Sequence, residues 1–172
     1  MSEVEIIKKN WYALYTKPRH EFKAGLQLES ISIEYYLPTV TRMKQWSDRK
    51  KKVTEPIMRG YIFVRCDERG RLESLEQNSI VRTVSFHGVP AIVPDWQIEN
   101  LRRLLEGNPE VFITDLIKVG TKVKIIEGPF NGVEGIVTYH QKERILAVTI
   151  ETLHRSILVT LPPESVIKKV DS

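Results

Sequence analysis

The residues of this chain that could do chemistry are cations and rings. The stretch Arg42-Met43-Lys44-Gln45-Trp46-Ser47-Asp48-Arg49-Lys50-Lys51-Lys52 holds six basic residues and one acid, with an indole in its middle. Cations neutralise phosphates, and an exposed indole stacks on an unpaired base. The same indole can instead cover the base of a hairpin, and that is the favoured reading. A second basic group, Lys17, Arg19, His20 and Lys23, surrounds Pro18 and could grip phosphates or form an ordinary polar face. A third feature is a pair of rings, Tyr61 and Phe63, in the apolar run Tyr61-Ile62-Phe63-Val64. In a strand, residues two apart share a face, so the two rings are either core or a docking patch.

The groups of a catalytic centre do not assemble. There is no Gly-x-x-x-x-Gly-Lys-Ser/Thr loop, no Cys/His metal set, no His-Glu-x-x-His and no Gly-x-Ser-x-Gly. The histidines at 20, 87, 140 and 154 are scattered and read as surface or turn residues. Asp67 and Glu68 are adjacent, so a regular element points them apart. A non-enzyme without cofactor or metal is expected. The single cysteine, Cys66, allows no intrachain disulfide and reads as a small buried hydrophobe, which suggests the cytoplasm. No run approaches the roughly 18 apolar residues of a spanning helix, and Met1-Ser2-Glu3-Val4-Glu5 is no signal-peptide core. A soluble monomer with no membrane partner is expected.

At 172 residues the chain suits one ordinary domain, or one plus a small module. Its net charge of +4 is unevenly spread: residues 1–60 carry +5, residues 61–106 carry −1 and residues 107–172 carry zero. A basic first third can be an electrostatic footprint for nucleic acid, or simply a solvated lysine-rich loop.

The elements that must position these groups can be read in order. Trp11 to Thr16 reads as a strand. Pro18 opens a helix to about Ile31, with apolar groups Phe22/Leu26 and Ala24/Leu28/Ile31. On that helix Arg19, His20 and Lys23 share one sector. Tyr35 to Val40 reads as one strand, and Thr39–Trp46 and Lys50–Thr54 can pair as a projecting hairpin through a Ser47-Asp48 turn. After Tyr61–Val64, Asp67 caps a short helix to Gln77 with Leu72 and Leu75 inward. Ile80–Phe86 is a strand, His87-Gly88-Val89-Pro90 turns, and Asp95 caps a helix through Glu106 stopped by Gly107 and Pro109. This order predicts an α+β domain, helices packed on an antiparallel sheet, over residues 1–106. Residues 107–119 lack periodicity and read as a linker. Residues 120–172 read as five short strands, from Lys122–Ile126 through Val133–Tyr139, Ile145–Thr152, Ile157–Leu161 and Val166–Val170, closing into a small barrel.

Two parts of the chain carry a family resemblance. Glu127-Gly128-Pro129-Phe130-Asn131-Gly132-Val133-Glu134-Gly135, after Gly120-Thr121-Lys122-Val123, resembles the KOW motif. Trp11-Tyr12, Pro56 with Gly60-Tyr61-Ile62-Phe63-Val64, and Val81 to Phe86 resemble the N-terminal (NGN) domain of NusG/Spt5 transcription factors. The order of the two agrees across roughly residues 10 to 170. Glu55-Pro56, Tyr61 to Val64 and Pro90-Ala91-Ile92-Val93-Pro94 look closer to the specialised RfaH-like and UpxY-like antiterminators.

The resemblance implies an NGN domain (1–106), a linker (107–119) and a KOW barrel (120–172). It implies a factor that binds the clamp helices of the largest RNA polymerase subunit, bridges the cleft above the DNA and suppresses pausing or termination. Tyr61 and Phe63 match the family's docking rings, Tyr15 is a further candidate, and Ile62 and Val64 then form the core pair beneath. Lys17, Arg19, His20 and Lys23 match the contacts to the non-template DNA strand. The second cleft contact falls in Asp67–Gln77, where Arg71-Leu72-Glu73-Ser74-Leu75 replaces the His-Thr-Thr run of RfaH. Leu153, His154 and Arg155 match the loop through which a KOW domain meets a small-subunit ribosomal protein or Rho. The β-branched runs Val148-Thr149-Ile150 and Ile157-Leu158-Val159-Thr160 predict strands rather than a helical hairpin. The alternative is an RNA-binding ribosomal or ribosome-assembly protein with a KOW module.

Overall fold

A computed structural model describes residues 6–170. Strand β1 is Asn10–Thr16. The sequence predicts a helix from Pro18, but α1 spans Glu21–Ser30. Arg19 takes φ +64°, a left-handed turn that no helix tolerates, and the His20 N–H donates to the Lys17 carbonyl at 3.0 Å. Arg19 and His20 therefore precede the helix and share no helical sector with Lys23. The expected strand Tyr35–Val40 is two: β2, Glu34–Tyr36, and β3, Thr39–Gln45. Pro38 sits at the break, lacking the N–H a continuous ladder would use. Strand β4, Lys50–Pro56, pairs antiparallel with β3 from Thr39↔Pro56 to Gln45↔Lys50, as the hairpin reading requires. Trp46 does not cover the hairpin's base. It lies at the tip, 53% exposed, with its N–H donating to the Arg49 carbonyl across the turn.

Strand β5 is Tyr61–Cys66 and α2 is Glu68–Leu75. The Asp67 carboxylate caps α2 by accepting the Gly70 N–H at 2.8 Å. Leu75 packs on the core, whereas Leu72, expected inward, is exposed. The predicted strand Ile80–Phe86 divides into β6, Ile80–Thr83, and β7, Ser85–Phe86. Val84 at the division turns its N–H to the Ala13 carbonyl. Two short strands follow, β8, Val89–Pro90, and β9, Ile92–Val93. Helix α3, Asp95–Leu105, buries Ile98, Leu101 and Leu104 at helical spacing. The remaining strands are β10, Phe112–Asp115; β11, Thr121–Glu127; β12, Glu134–His140; β13, Glu143–Ile150; β14, Arg155–Thr160; and β15, Val166–Lys169.

The chain separates into two compact units. The first contains residues up to Leu37 and Arg59–Asp95. Its sheet has the order β2-β5-β1-β6, with β9 also pairing β1. One face of the sheet carries Tyr12, Leu14, Ile62, Val64 and Cys66, packed with Ala24 and Leu28 of α1 and with Ile80. Ile62 and Val64 are thus the core pair, as expected. Each such aliphatic side chain contributes about 1.5–3 kcal/mol on full burial. The buried Glu21 carboxylate accepts the Gly60 N–H at 2.9 Å, and the Gly60 carbonyl accepts the Thr16 N–H. Gly60 holds φ +85°, a conformation L side chains rarely take, so this junction requires glycine.

The second unit contains Pro38–Met58 and the chain from Trp96 onward. Its sheet has six antiparallel strands in the order β10-β14-β13-β12-β11-β15. The expected five-stranded closed barrel is corrected in two ways. Residues 112–115, read as linker, supply the extra strand, with Ile113 opposite Ile157. The sheet ends at β10 and β15, and no pairing between these two closes it among the described residues. The core comprises Val123, Ile125, Val137, Leu146, Val148, Ile150, Ile157 and Val159. The β-branched runs are strands, as predicted. Gly132, at φ +89°, donates its N–H to the Ile125 carbonyl and closes the turn after β11.

Two asparagines each grip a stretch of main chain in this unit. The Asn100 amide donates to the Glu134 carbonyl at 2.6 Å and accepts the Glu134 N–H at 2.7 Å. The Asn108 amide does the same for Thr41, at 2.8 Å both ways. Arg42 adds a bond from Nη2 to the Val111 carbonyl at 3.0 Å. The base of the β3–β4 hairpin is therefore tied to the segment before β10. Among the described residues no helix is long and apolar enough to cross a membrane.

Candidate functional site

The first unit presents a row of side chains across three neighbouring strands. Register places Tyr15 of β1 opposite Tyr61 of β5 on one side and opposite Arg82 of β6 on the other. Directly opposed residues share a face, so ring, ring and cation line up. The Tyr15 and Tyr61 centroids lie 5.0 Å apart at an interplanar angle of 42°. The Arg82 guanidinium carbon lies 4.7 Å from the Tyr15 centroid, within cation–π range. Tyr15 and Tyr61 are half-buried and Arg82 is exposed. Such a row combines apolar contact area with a fixed positive charge, a combination suited to a partner helix that carries acidic residues beside apolar ones.

Phe63 shares the face of Tyr61 but not its accessibility. It has no exposed surface, and the Tyr36 ring directly opposite stacks on it at 6.4 Å and 23°. Of the two rings expected to dock, Tyr61 is accessible and Phe63 is buried within its own unit.

The basic group follows directly at the end of β1. Lys17 donates from Nζ to Asn78 Oδ1 at 3.1 Å, and its N–H donates to the Ser79 carbonyl. His20 Nδ1 and Ser79 Oγ share a hydrogen bond of 3.1 Å. Arg19 and Lys23 are exposed. Two of the four predicted residues are therefore fastened to the 78–79 loop, and two point their charge to solvent.

Within residues 67–77, Arg71 is held inside its own unit. Arg71 is buried. It donates from Nη1 to Thr83 Oγ1 at 2.9 Å and from Nε to Glu68 Oε2 at 2.9 Å, and it lies over the Tyr12 ring at 5.9 Å. These bonds hold the Glu68 carboxyl below its usual pKa and raise that of Arg71. Neighbouring Cys66 is buried, and burial, reinforced by Asp67, pushes its thiol from 9.0 to about 11. A protonated, inaccessible thiol is a poor nucleophile.

In the second unit, Leu153 is buried at the end of a 3-10 turn, Glu151–Leu153. His154 terminates that turn in the left-handed conformation, φ 50° and ψ 43°, and is exposed. Arg155 donates to Asp115 Oδ1 at 3.2 Å. Of the three residues predicted to meet a partner, His154 projects outward, Leu153 packs inward and Arg155 is engaged with β10. His154 also borders a hollow of about 660 Å³ lined by Trp96, Asn100, Lys118 and Lys122. Among the described residues no group of three or more His, Cys, Asp and Glu is placed to hold a metal ion.

Sequence reasoning missed Arg82 and Tyr36. Both join the aromatic face only through strand register, which local pattern does not encode.

The family described as transcription termination factor NusG matches residues 9–102. That span contains the whole aromatic row and the basic group after β1. The chain belongs to the NusG family of transcription factors. Its structure is similar to that of NusG from Thermotoga maritima, solved for its domain interaction, at 25% identity and a TM-score of 0.50. The match covers 95% of this chain and 98% of that one. Two conformations of the MjSpt4:Spt5 complex also match, at 20% and 22% identity and TM-scores of 0.31 and 0.32. They cover 93% and 94% of this chain, and 97% of theirs in each case.

Proposed function

We propose that this chain is an elongation factor that binds bacterial RNA polymerase through the face bearing Tyr61 and Tyr15 and suppresses pausing or termination. The observation that carries this reading is the half-exposed Tyr61–Tyr15–Arg82 row, inside the span matched to the NusG family. Its target is the coiled coil of clamp helices on the largest subunit. Tyrosines supply area at low entropy cost. Lys17, Arg19, His20 and Lys23 meet the non-template DNA strand, with Arg19 and Lys23 as the direct phosphate contacts. Within the family the specialised RfaH-like or UpxY-like type is the one proposed.

In this reading residues 1–106 act as an NGN domain and residues 120–172 as a KOW domain, joined by residues 107–119. His154, flanked by Leu153 and Arg155, faces the partner of the KOW domain, a small-subunit ribosomal protein or Rho.

A pull-down with purified polymerase tests the docking face. Tyr61→Ala with Tyr15→Ala is expected to weaken retention at least tenfold while circular dichroism stays unchanged. Undiminished retention by the folded double variant would overturn the assignment. For DNA, Arg19→Ala and Lys23→Ala are each expected to flatten the salt dependence of recruitment by a slope of about one. An unchanged slope would reduce these residues to a polar surface.

A further inference from the structure

The β3–β4 hairpin is used by none of the foregoing. Its outer half is one of the most basic surfaces of the chain, and both of its faces are cationic. Register puts Arg42, Lys44, Lys51 and Arg49 on the face of Trp46, and Lys50 and Lys52 on the other with Met43 and Gln45. The only acid in its outer half is Asp48 at the turn. Its base is fixed by the Asn108–Thr41 clamp, by Arg42 on the Val111 carbonyl and by the pair between Lys44 and Glu55. The cations beyond that base, Arg49 to Lys52, are exposed.

Trp46 gives this surface its selectivity. Trp46 stands 53% exposed at the hairpin tip. The Lys51 ammonium lies 5.2 Å from its centroid, so a ring and a cation stand side by side. That is the pairing needed to stack one base and neutralise the phosphate next to it. A base in a duplex is already stacked on both faces and cannot accept the ring. Same-face residues along a strand recur about every 6.7 Å, close to the phosphate spacing of an extended single strand. Stacking on a base face is sequence-tolerant, because every base has a π-face.

From these observations we infer that the β3–β4 hairpin is a second nucleic-acid site, which holds a single-stranded polynucleotide by stacking on Trp46 and by phosphate contacts from Arg49 and Lys51 on the same face. The site lies outside the polymerase-docking reading and requires no polymerase, so the two can fail independently.

The test uses the full chain and fluorescein-labelled oligouridylate or oligothymidylate of about 12 nucleotides, with a blunt duplex of equal length as control. Fluorescence anisotropy over a salt series gives affinity and slope. Both single strands are expected to bind better than the duplex, and Trp46→Ala to weaken them about tenfold without affecting the duplex. The double variant Arg49→Gln, Lys51→Gln is expected to reduce the salt slope by about 1.4, at roughly 0.7 per contact on a single strand. A preference for oligouridylate or for oligothymidylate identifies the natural strand as RNA or DNA, and either supports the site. Equal binding of duplex and single strand, or affinity unchanged by Trp46→Ala, would overturn it. Trp46, Arg49 and Lys51 are exposed, and matching thermal melts verify that the variants fold.

Discussion

Two rings two residues apart on one strand have different fates because their cross-strand neighbours differ. Tyr61 faces Tyr15 near the end of β1 and stays half-exposed, whereas Phe63 faces Tyr36 and disappears. The alternation of β5 made their shared face legible in the sequence; which ring would be covered depended on β2, whose register no local pattern specifies. The two positions should therefore separate experimentally. Phe63→Ala is expected to cost about 3–5 kcal/mol by chemical denaturation, as a large-to-small core change does. Tyr61→Ala should leave the denaturation midpoint nearly unmoved. Cys66 gives a second test. Its folded thiol titrates near 11 against an ordinary 9.0, so the native state retains its proton more tightly than the unfolded chain. This contribution to stability is complete below pH 9 and is lost as pH rises towards about 11. Stability is expected to fall across that window in the parent and to fall less in Cys66→Ala, measured by urea midpoints. At neutral pH, maleimide should label Cys66 only after denaturant is added.

Among elements, the sequence predicted α1, α2 and α3, while their ends depended on single residues. Asp67 declares the start of α2 because a carboxylate can accept the Gly70 N–H there. Asp67→Ala is expected to lower stability by about 1 kcal/mol, read from thermal melts. The start of α1 was not legible. Pro18 is a good first helical residue, but Arg19 turns left-handed, and its neighbours Lys17 and His20 are held by the 78–79 loop, some sixty residues away in sequence. Likewise Phe112–Asp115 carried no strand signal strong enough to name, since β10 is half-polar and exists by pairing with β14. The hairpin was legible from its Ser47-Asp48 turn and its two arms, though the first arm ends at Gln45 rather than Trp46. What misled was its tryptophan: an aromatic residue in a basic run invites burial, and only the register shows it at the tip.

For the whole molecule, the change of texture near Gly120 correctly announced an all-β region, but the compact units do not follow chain order. The hairpin at 38–58 belongs with the chain beyond Trp96. The link is made largely by main-chain atoms, notably Thr41 held by Asn108. Asn108→Ala is expected to speed hydrogen exchange at the Thr41 amide by about tenfold, read by nuclear magnetic resonance, with little change in β13. The Asn100 grip on Glu134 is built the same way, and it has an evolutionary corollary. The amide recognises a peptide unit, which every residue but proline presents alike. Position 134 can then drift through nearly any residue while the junction persists, and no compensating change at position 100 is called for. Two segments joined in this manner leave no trace of correlated substitution between them. A contact inferred from covariation alone would be missed here, and a lineage could rewrite one partner of this junction without disturbing the other.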